Sequence, residues 1–415
     1  MEKQRIVFVN IHKNHMLVKA LLSIIFKKTN VSLKHRYFLD YLLSRPNIEV
    51  CSYIDEYGSS FRSRRLPLIL NKLLSLFSLA EHNYVIKKNN INKKKVTVLH
   101  RTSDLTDKDI IILYCTGSMY NYSQIDQSPS FKAVCFLHID MTSFNYEAIK
   151  NMEHIHLFFN ESDLRKFNPH FRKDFTRFAS INFIVNPFVF QDRFKPIQAF
   201  KVRENRAVSM GTIGFFPDKI SQLYKSSIMQ PMRKEIKDNA TMLEPYIACF
   251  NSSYEEGSEQ LSIKSDDKFF TIMRKRVYNL KKTGKQEWYF SFDMVEKFNE
   301  FKMCIVGEDI TGVPGIGFVE GMACGCAYIG LNSGIYEQYG LKDGVHYIGY
   351  NGTLPDLTEK IKYWQRPENQ ERLEEIAQNG CAYVRSHFNK ETVASQLLSS
   401  IIGEYKAWNR SKNEA

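Results

Sequence analysis

Short, wholly apolar runs separated by amphipathic stretches constrain this chain most, because such runs must become strands buried on both faces. Ile6–Asn10 is the first. Cys51–Ile54, Val96–Leu99, Ile110–Tyr114, Ala133–Leu137 and His156–Phe159 follow. Strict alternation would mark an antiparallel sheet with one wet face. Consecutive apolar residues instead mark a parallel sheet with helices on both sides. Helices fit Met16–Lys28, Leu66–Leu79 and Phe144–Asn151. The rhythm restarts with strands at Ala207–Gly211, Tyr246–Phe250, Met303–Val306 and Ala327–Leu331. Helices there fit Ile220–Asp238, Phe292–Glu300, Ile316–Ala323, Leu357–Trp364 and Gln370–Val384.

Two such series in 415 residues predict two α/β domains, since one core of this size would be unusual. The expected division is 1–190, 191–390, and a last segment 391–415 made of a helix, Thr392–Trp408, and a polar tail. Asn186–Arg203, with Pro187 and Pro196, reads as the link, and Asn251–Gln286 as a polar insertion. Hydrophobic residues at 43% and charged residues at 25% exclude a largely disordered chain. The eight cysteines are scattered without a zinc-type pairing and read as free thiols, Cys324 and Cys326 as core. No run is long enough to span a bilayer, and Met1–Val9 lacks the features of a signal peptide, so a cytoplasmic protein is expected.

The chemistry concentrates in KMCIVGEDITGVPGIGFVEGMACGCAYIGL, Lys302–Leu331. It reads as a buried strand, a glycine-rich loop, a helix start and a second buried strand. Gly312, Gly315 and Gly317 would let a phosphate approach the backbone near a helix start. Glu320, one turn into that helix, can accept two hydrogen bonds from a ribose diol. Ser209–Lys219 offers Gly211 and Thr212 at the end of another strand, with Asp218 and Lys219 as candidates for the sugar or diphosphate. Arg233 and Lys234 could neutralise a leaving nucleotide.

In the first half, CFLHIDMTSFN carries His138 and Asp140 at a strand end. Imidazole can pass a proton near neutral pH, and Asp140 could orient it or act as base. HLFFNESDLRKF places Glu161 just after another strand, beside the helix-capping candidates Asn160 and Ser162. Asp107-Lys108-Asp109 has the spacing of metal-dependent sugar transferases, but it precedes its strand and reads as a solvated turn. No metal or other cofactor is expected.

The stretch GIGFVEGMACG, Gly315–Gly325, resembles the donor-binding half of the group-1 glycosyltransferases of the two-domain GT-B fold. The likeness continues through Gly340–Trp364 and Arg372–Asn389 and covers about the last quarter of the chain. SINFIVNPFVFQDRFKP, Ser180–Pro196, looks like the family's interdomain signature. The resemblance implies two Rossmann-like domains facing a cleft, with the C-terminal helix crossing back to the first. It also implies that Glu320 holds a donor ribose, that Gly312–Gly317 lies by the phosphates, and that His138 faces the donor sugar or acceptor. This sequence departs from the pattern at Gly312, where many retaining members carry a Glu.

The implied activity is transfer of a sugar from a nucleotide-sugar to a saccharide or lipid-linked acceptor in surface polysaccharide synthesis. A CMP-activated acidic sugar of the Kdo type is the alternative donor. The formal charge, 57 − 45 = +12, admits nucleic acid, an anionic membrane surface or a phosphorylated small molecule as partner. The charge makes a nucleic-acid binder the rival from another class, but no basic–aromatic module is present and no nucleic-acid partner is expected; a non-catalytic scaffold on this fold is the third reading. Arg62, Arg64 and Arg65 before Leu66–Leu79, with Lys87, Lys88 and Lys93–Lys95 after it, would suit an anionic membrane surface.

Overall fold

A computed structural model describes residues 3–11, 33–54, 79–80, 82–114, 122–135, 152–167, 178–215, 222, 224–253, 271, 274 and 292–414. The chain forms two compact units, Met1–Pro187 with Lys390–Ala415, and Phe188–Asn389. Both are α/β and both are built on all-parallel sheets, as the unbroken apolar runs require.

Unit 1 contains β1 (Gln4–Val9), β2 (Ile48–Tyr53), β3 (Val96–Leu99), β4 (Ile110–Tyr114), β5 (Phe131–Cys135), β6 (Leu157–Asn160) and β7 (Asn182–Val185). Their order is β3-β2-β1-β4-β5-β6-β7, with Ile6 of β1 paired to Val50 on one side and Ile110 on the other. The order reverses between β1 and β4, which is where open parallel sheets hold ligands, beyond the carboxyl ends. One helix not foreseen in the sequence, α1 (Arg36–Ser44), lays Phe38, Leu39 and Leu42 on the core. Its first residues stand near the carboxyl ends of β4 and β6, because His35 contacts Tyr114 and Glu161.

Unit 2 contains β8 (Glu204–Ile213), β9 (Ile247–Ser253), β10 (Phe301–Ile305), β11 (Ala327–Leu331) and β12 (Ile348–Tyr350). The order is β12-β11-β10-β8-β9, and the reversal falls between β8 and β10. The helices are α2 (Pro231–Asp238), α3 (Met294–Glu300), α4 (Gly317–Ala323), α5 (Leu354–Gln365) and α6 (Gln370–His387). Of the expected link, Asn186–Arg203, the residues from Phe188 on belong to this unit's body. Phe194 is fully buried near Phe298, and Asn299 accepts from the Ile197 amide at 2.7 Å while donating to Lys195 O at 3.1 Å. Arg203 completes the clasp by donating to Cys324 O at 2.9 Å. Cys324 and Cys326 are buried free thiols.

The last helix, α7 (Lys390–Glu414), is part of unit 1. Ala394, Leu397, Leu398, Ile401 and Tyr405 recur at helical spacing and join the unit 1 core. Trp408 packs on Phe131 and His156, and the polar residues beyond it continue the helix. Among the described residues, no helix is long and apolar enough to cross a membrane.

The turn before β4 differs from expectation. Asp107 and Lys108 are exposed, but Asp109 is completely buried. Arg5 Nε lies 3.3 Å from its carboxylate and the Thr106 amide donates to it at 2.7 Å, so it closes the amino end of the sheet. The expected helices Met16–Lys28 and Phe144–Asn151 lie outside the described residues, as does Leu66–Leu79 up to residue 78.

Candidate functional site

In unit 2 the reversal of strand order brings the ends of β8 and β10 side by side. Between them sits the guanidinium of Arg233, from α2. Its Nη1 donates to Thr212 O at 2.8 Å, its Nη2 to Gly307 O at 3.4 Å, and its Nε to Val306 O. The glycines around it have a packing reason. A Cβ on Gly211 would lie 2.6 Å from Arg233 Cζ, and one on Gly315 would lie 2.8 Å from Nη2. A Cβ on Gly317 would meet Val306 at 3.2 Å, and one on Gly321 would meet Cys304 Sγ at 2.6 Å. Gly317 and Gly321 therefore let α4 lie close on β10. Gly312 alone of the loop glycines has open space at its missing Cβ, and its φ of +85° suits glycine.

Two carboxylates of the loop are engaged within it. Asp309 Oδ1 accepts from the amides of Thr311 at 2.8 Å and Val313 at 3.1 Å. Glu308 accepts from the Leu331 amide at 2.8 Å and from the hydroxyls of Tyr336 and Tyr350. Lys234 faces outward and pairs with Asp238 at 2.6 Å, which leaves Arg233 as the inward cation of the two.

Glu320 is different. It lies on α4 and is 5% exposed, yet among the described residues no group donates a hydrogen bond to its carboxylate and no cation pairs with it. Burial raises its pKa from 4.5 to about 7, against the opposing pull of Arg193. A carboxylate this buried, with no protein donor among the described residues, holds its charge at a cost unless water or a ligand supplies the donors.

In unit 1 the polar groups after the apolar strands gather at the carboxyl edge. Glu161, just past β6, accepts on Oε1 from His35 Nε2 at 3.1 Å and from Lys34 Nζ. Tyr114, the last residue of β4, lies with its hydroxyl 3.3 Å from His35 Nδ1. These contacts fix the imidazole: Nε2–H donates to the carboxylate and Nδ1 accepts from the tyrosine. Burial keeps His35 below its usual pKa and so favours this neutral form. Beside it, Asn186 donates to Tyr37 O–H oxygen at 2.7 Å.

The structure thus places Gly211, Thr212, Gly315 and Gly317 around Arg233 and Val306, with Glu320 on the adjoining helix. Glu161 stands in the other unit. His138, Asp140, Asp218 and Lys219 lie outside the described residues. Lys34, His35 and Tyr114 were not foreseen. The polar residue ending an apolar run, at Asn10, Asn160-Glu161 and Asn186, marks the same sheet edge but does not single out Lys34 or His35.

No family model matches this sequence, and no curated protein matches it. Among solved structures, the chain is similar to a sucrose-phosphate synthase from Thermosynechococcus elongatus, at 10% identity and a TM-score of 0.49, over 98% of this chain and 100% of that one. It is similar to HepE of Anabaena in complex with UDP and glucose, at 11% identity and TM-score 0.49, over 96% and 100%. It is also similar to a glycosyltransferase from Rickettsia africae, at 13% identity and TM-score 0.49, over 98% and 100%. Likeness of this degree bears on neither chemistry nor substrate.

Proposed function

We propose that this chain is a glycosyltransferase of the GT-B type, moving a sugar from a nucleotide-sugar to a saccharide or lipid-linked acceptor. The observation that carries this reading is Glu320: a buried carboxylate with no donor among the described residues, beside the point where strand order reverses. A ribose diol supplies the two donors that such a carboxylate requires. Gly312, Gly315 and Gly317 line the loop leading to it, and Gly211 and Thr212 end the neighbouring strand. Arg233, held between those two segments, is the proposed fixed positive charge for a departing phosphate. Lys219 and Asp218 are the further candidates for phosphate and sugar.

Glu161 is the proposed base in unit 1. The acceptor hydroxyl gives its proton to this carboxylate as its oxygen bonds to the anomeric carbon. The bond from that carbon to the phosphate oxygen breaks, and the nucleotide leaves with the electron pair. His138 and Asp140 are candidates for the same work. In this reading no metal takes part, because fixed positive charge meets the leaving group. The wider setting is surface polysaccharide synthesis by a cytoplasmic enzyme resting on an anionic membrane face through its lysine-rich segments.

A thermal-shift screen with UDP, GDP, CMP, ADP and dTDP tests this reading. A nucleotide present at 100 times its Kd adds about 2.7 kcal/mol to the stability of the native state. One of the five should stabilise the protein, and stabilisation by CMP alone would select the acidic-sugar donor. Glu320→Ala should remove the shift. No shift with any of them, or an undiminished shift in that variant, refutes the assignment.

A further inference from the structure

Glu161 does not stand alone, and its surroundings have a feature that a helix-capping role leaves unexplained. Its Oε1 takes two donors of different chemistry from adjacent residues, Lys34 Nζ and His35 Nε2, which lie more than 120 positions earlier in the chain. His35 has a left-handed backbone, φ 51°, an arrangement rare for a residue with a side chain. It begins α1 without offering its side chain to cap the helix. The imidazole is turned the other way, toward the carboxylate. Three rings enclose it, those of Tyr37, Tyr114 and Phe159, at centroid distances of 5.7 to 6.2 Å.

We infer that Lys34 and His35 are positioning residues for Glu161, aiming its carboxylate at the carboxyl edge of the unit 1 sheet to receive the proton of an acceptor hydroxyl. The inference rests on the reading of Glu161 as base and deepens it. Position and chemistry both support it. The edge where strand order reverses is the ligand edge of an open parallel sheet. A general base works only when its oxygen is held within hydrogen-bond reach of the proton it takes. A fixed cation and a fixed neutral donor on one oxygen settle the carboxylate's rotamer, as a second shell settles a catalytic group. The groups facing the imidazole are Glu161 beyond β6, Tyr114 on β4, and Lys34 and Tyr37 on its own segment, with Cys135 of β5 nearby. Burial, and then the Lys34 cation, hold the imidazole below its usual pKa against the opposing pull of Glu161, which favours the neutral ring with its Nε2 proton on the Glu161 side.

The experiment uses the full chain and water as acceptor, with release of nucleotide from UDP-, GDP-, CMP-, ADP- and dTDP-sugars as the readout. Glu161→Gln should lower kcat by about 10² to 10⁴-fold. Lys34→Met and His35→Leu should each lower it by roughly 10 to 100-fold, the cost of a misplaced group. KM for the donor and the nucleotide thermal shift should not change in any of the three. Lys34→Arg and His35→Gln, which keep a donor at each place, should recover most of the rate, which a packing role alone would not require. Because His35→Leu alters a buried site, Lys34→Met and Lys34→Arg at the more exposed position decide the matter if that variant does not fold. Wild-type turnover that persists in Glu161→Gln overturns the inference. So does wild-type kcat in folded Lys34→Met. Absence of nucleotide release by the wild-type protein from the whole panel would instead overturn the transferase reading beneath it.

Discussion

Glu161 in unit 1 and Glu320 in unit 2 are buried carboxylates in opposite states. Glu161 in unit 1 is met by an ammonium and an imidazole from its own unit, whereas Glu320 in unit 2 is buried with no donor among the described residues. Both stand at carboxyl edges of parallel sheets, so topology does not distinguish them. The difference is in completion. One site is assembled by folding alone. The other carries a largely buried carboxylate with no donor from the described residues, the kind of cost that functional sites often bear.

This contrast breaks most sharply under the same substitution made twice. Glu161→Gln should destabilise the protein by about 3 kcal/mol, because it leaves a buried cation without its counter-ion. Urea unfolding at pH 8 measures this, and a neutral result would show that Lys34 finds water instead. Glu320→Gln should act with the opposite sign. Its carboxyl has a folded pKa of about 7, raised from 4.5, so the folded state binds the proton more tightly. Stability from this group is therefore full at low pH and is lost as pH rises through about 7. The Gln variant should be more stable than wild type at pH 8, by about 2 kcal/mol, and equal to it near pH 4.

Nucleotide affinity sharpens the comparison further. Hydroxyl donors favour the ionised carboxylate, so binding of the stabilising nucleotide should weaken as pH falls below about 7, approaching tenfold per unit. Calorimetric titration from pH 5.5 to 8.5 reads this, and a flat profile would detach Glu320 from the nucleoside. Unit 1 responds to acid by another route. Burial lowers His35, His82 and His156, the latter two to about 4, so their contribution to stability is lost as pH falls from about 6.5 toward 4.

Smaller effects test the packing beneath the sites. Gly321→Ala puts a methyl 2.6 Å from Cys304 Sγ and should cost about 1–3 kcal/mol through overpacking between α4 and β10. It should also weaken nucleotide binding, because α4 carries Glu320. Thr353 caps α5 by accepting from the Asp356 amide at 3.4 Å, and Thr353→Ala should cost about 1 kcal/mol. Nucleotide affinity should not change in that variant.

The sequence makes the sheets legible because an apolar run such as Ile110–Tyr114 has no polar face to offer water. The place of Glu320, in the first turn of a helix after a glycine loop, is legible because these segments are contiguous in sequence. The glycines themselves were only half legible. Spacing suggests ligand approach at Gly315 and Gly317, whereas their neighbours Arg233 and Val306 come from other elements. Glu161 was legible by itself, but its grouping with Lys34 and His35 was not, since it joins segments remote in sequence and α1 begins without a side-chain cap. Asp109 misleads for a related reason: its partner Arg5 is on another strand, so the last residue of a polar turn is buried in space.

The chain leaves unit 1 after Pro187 and returns to it at Lys390. A ribosome making this protein from its amino end therefore finishes unit 2 first. Ala394, Leu397 and Ile401 belong to the core of the earlier unit, yet they are translated only after the whole of unit 2. Until they emerge, the apolar surface they cover has no lid, and the nascent first unit is the aggregation-prone partner during translation.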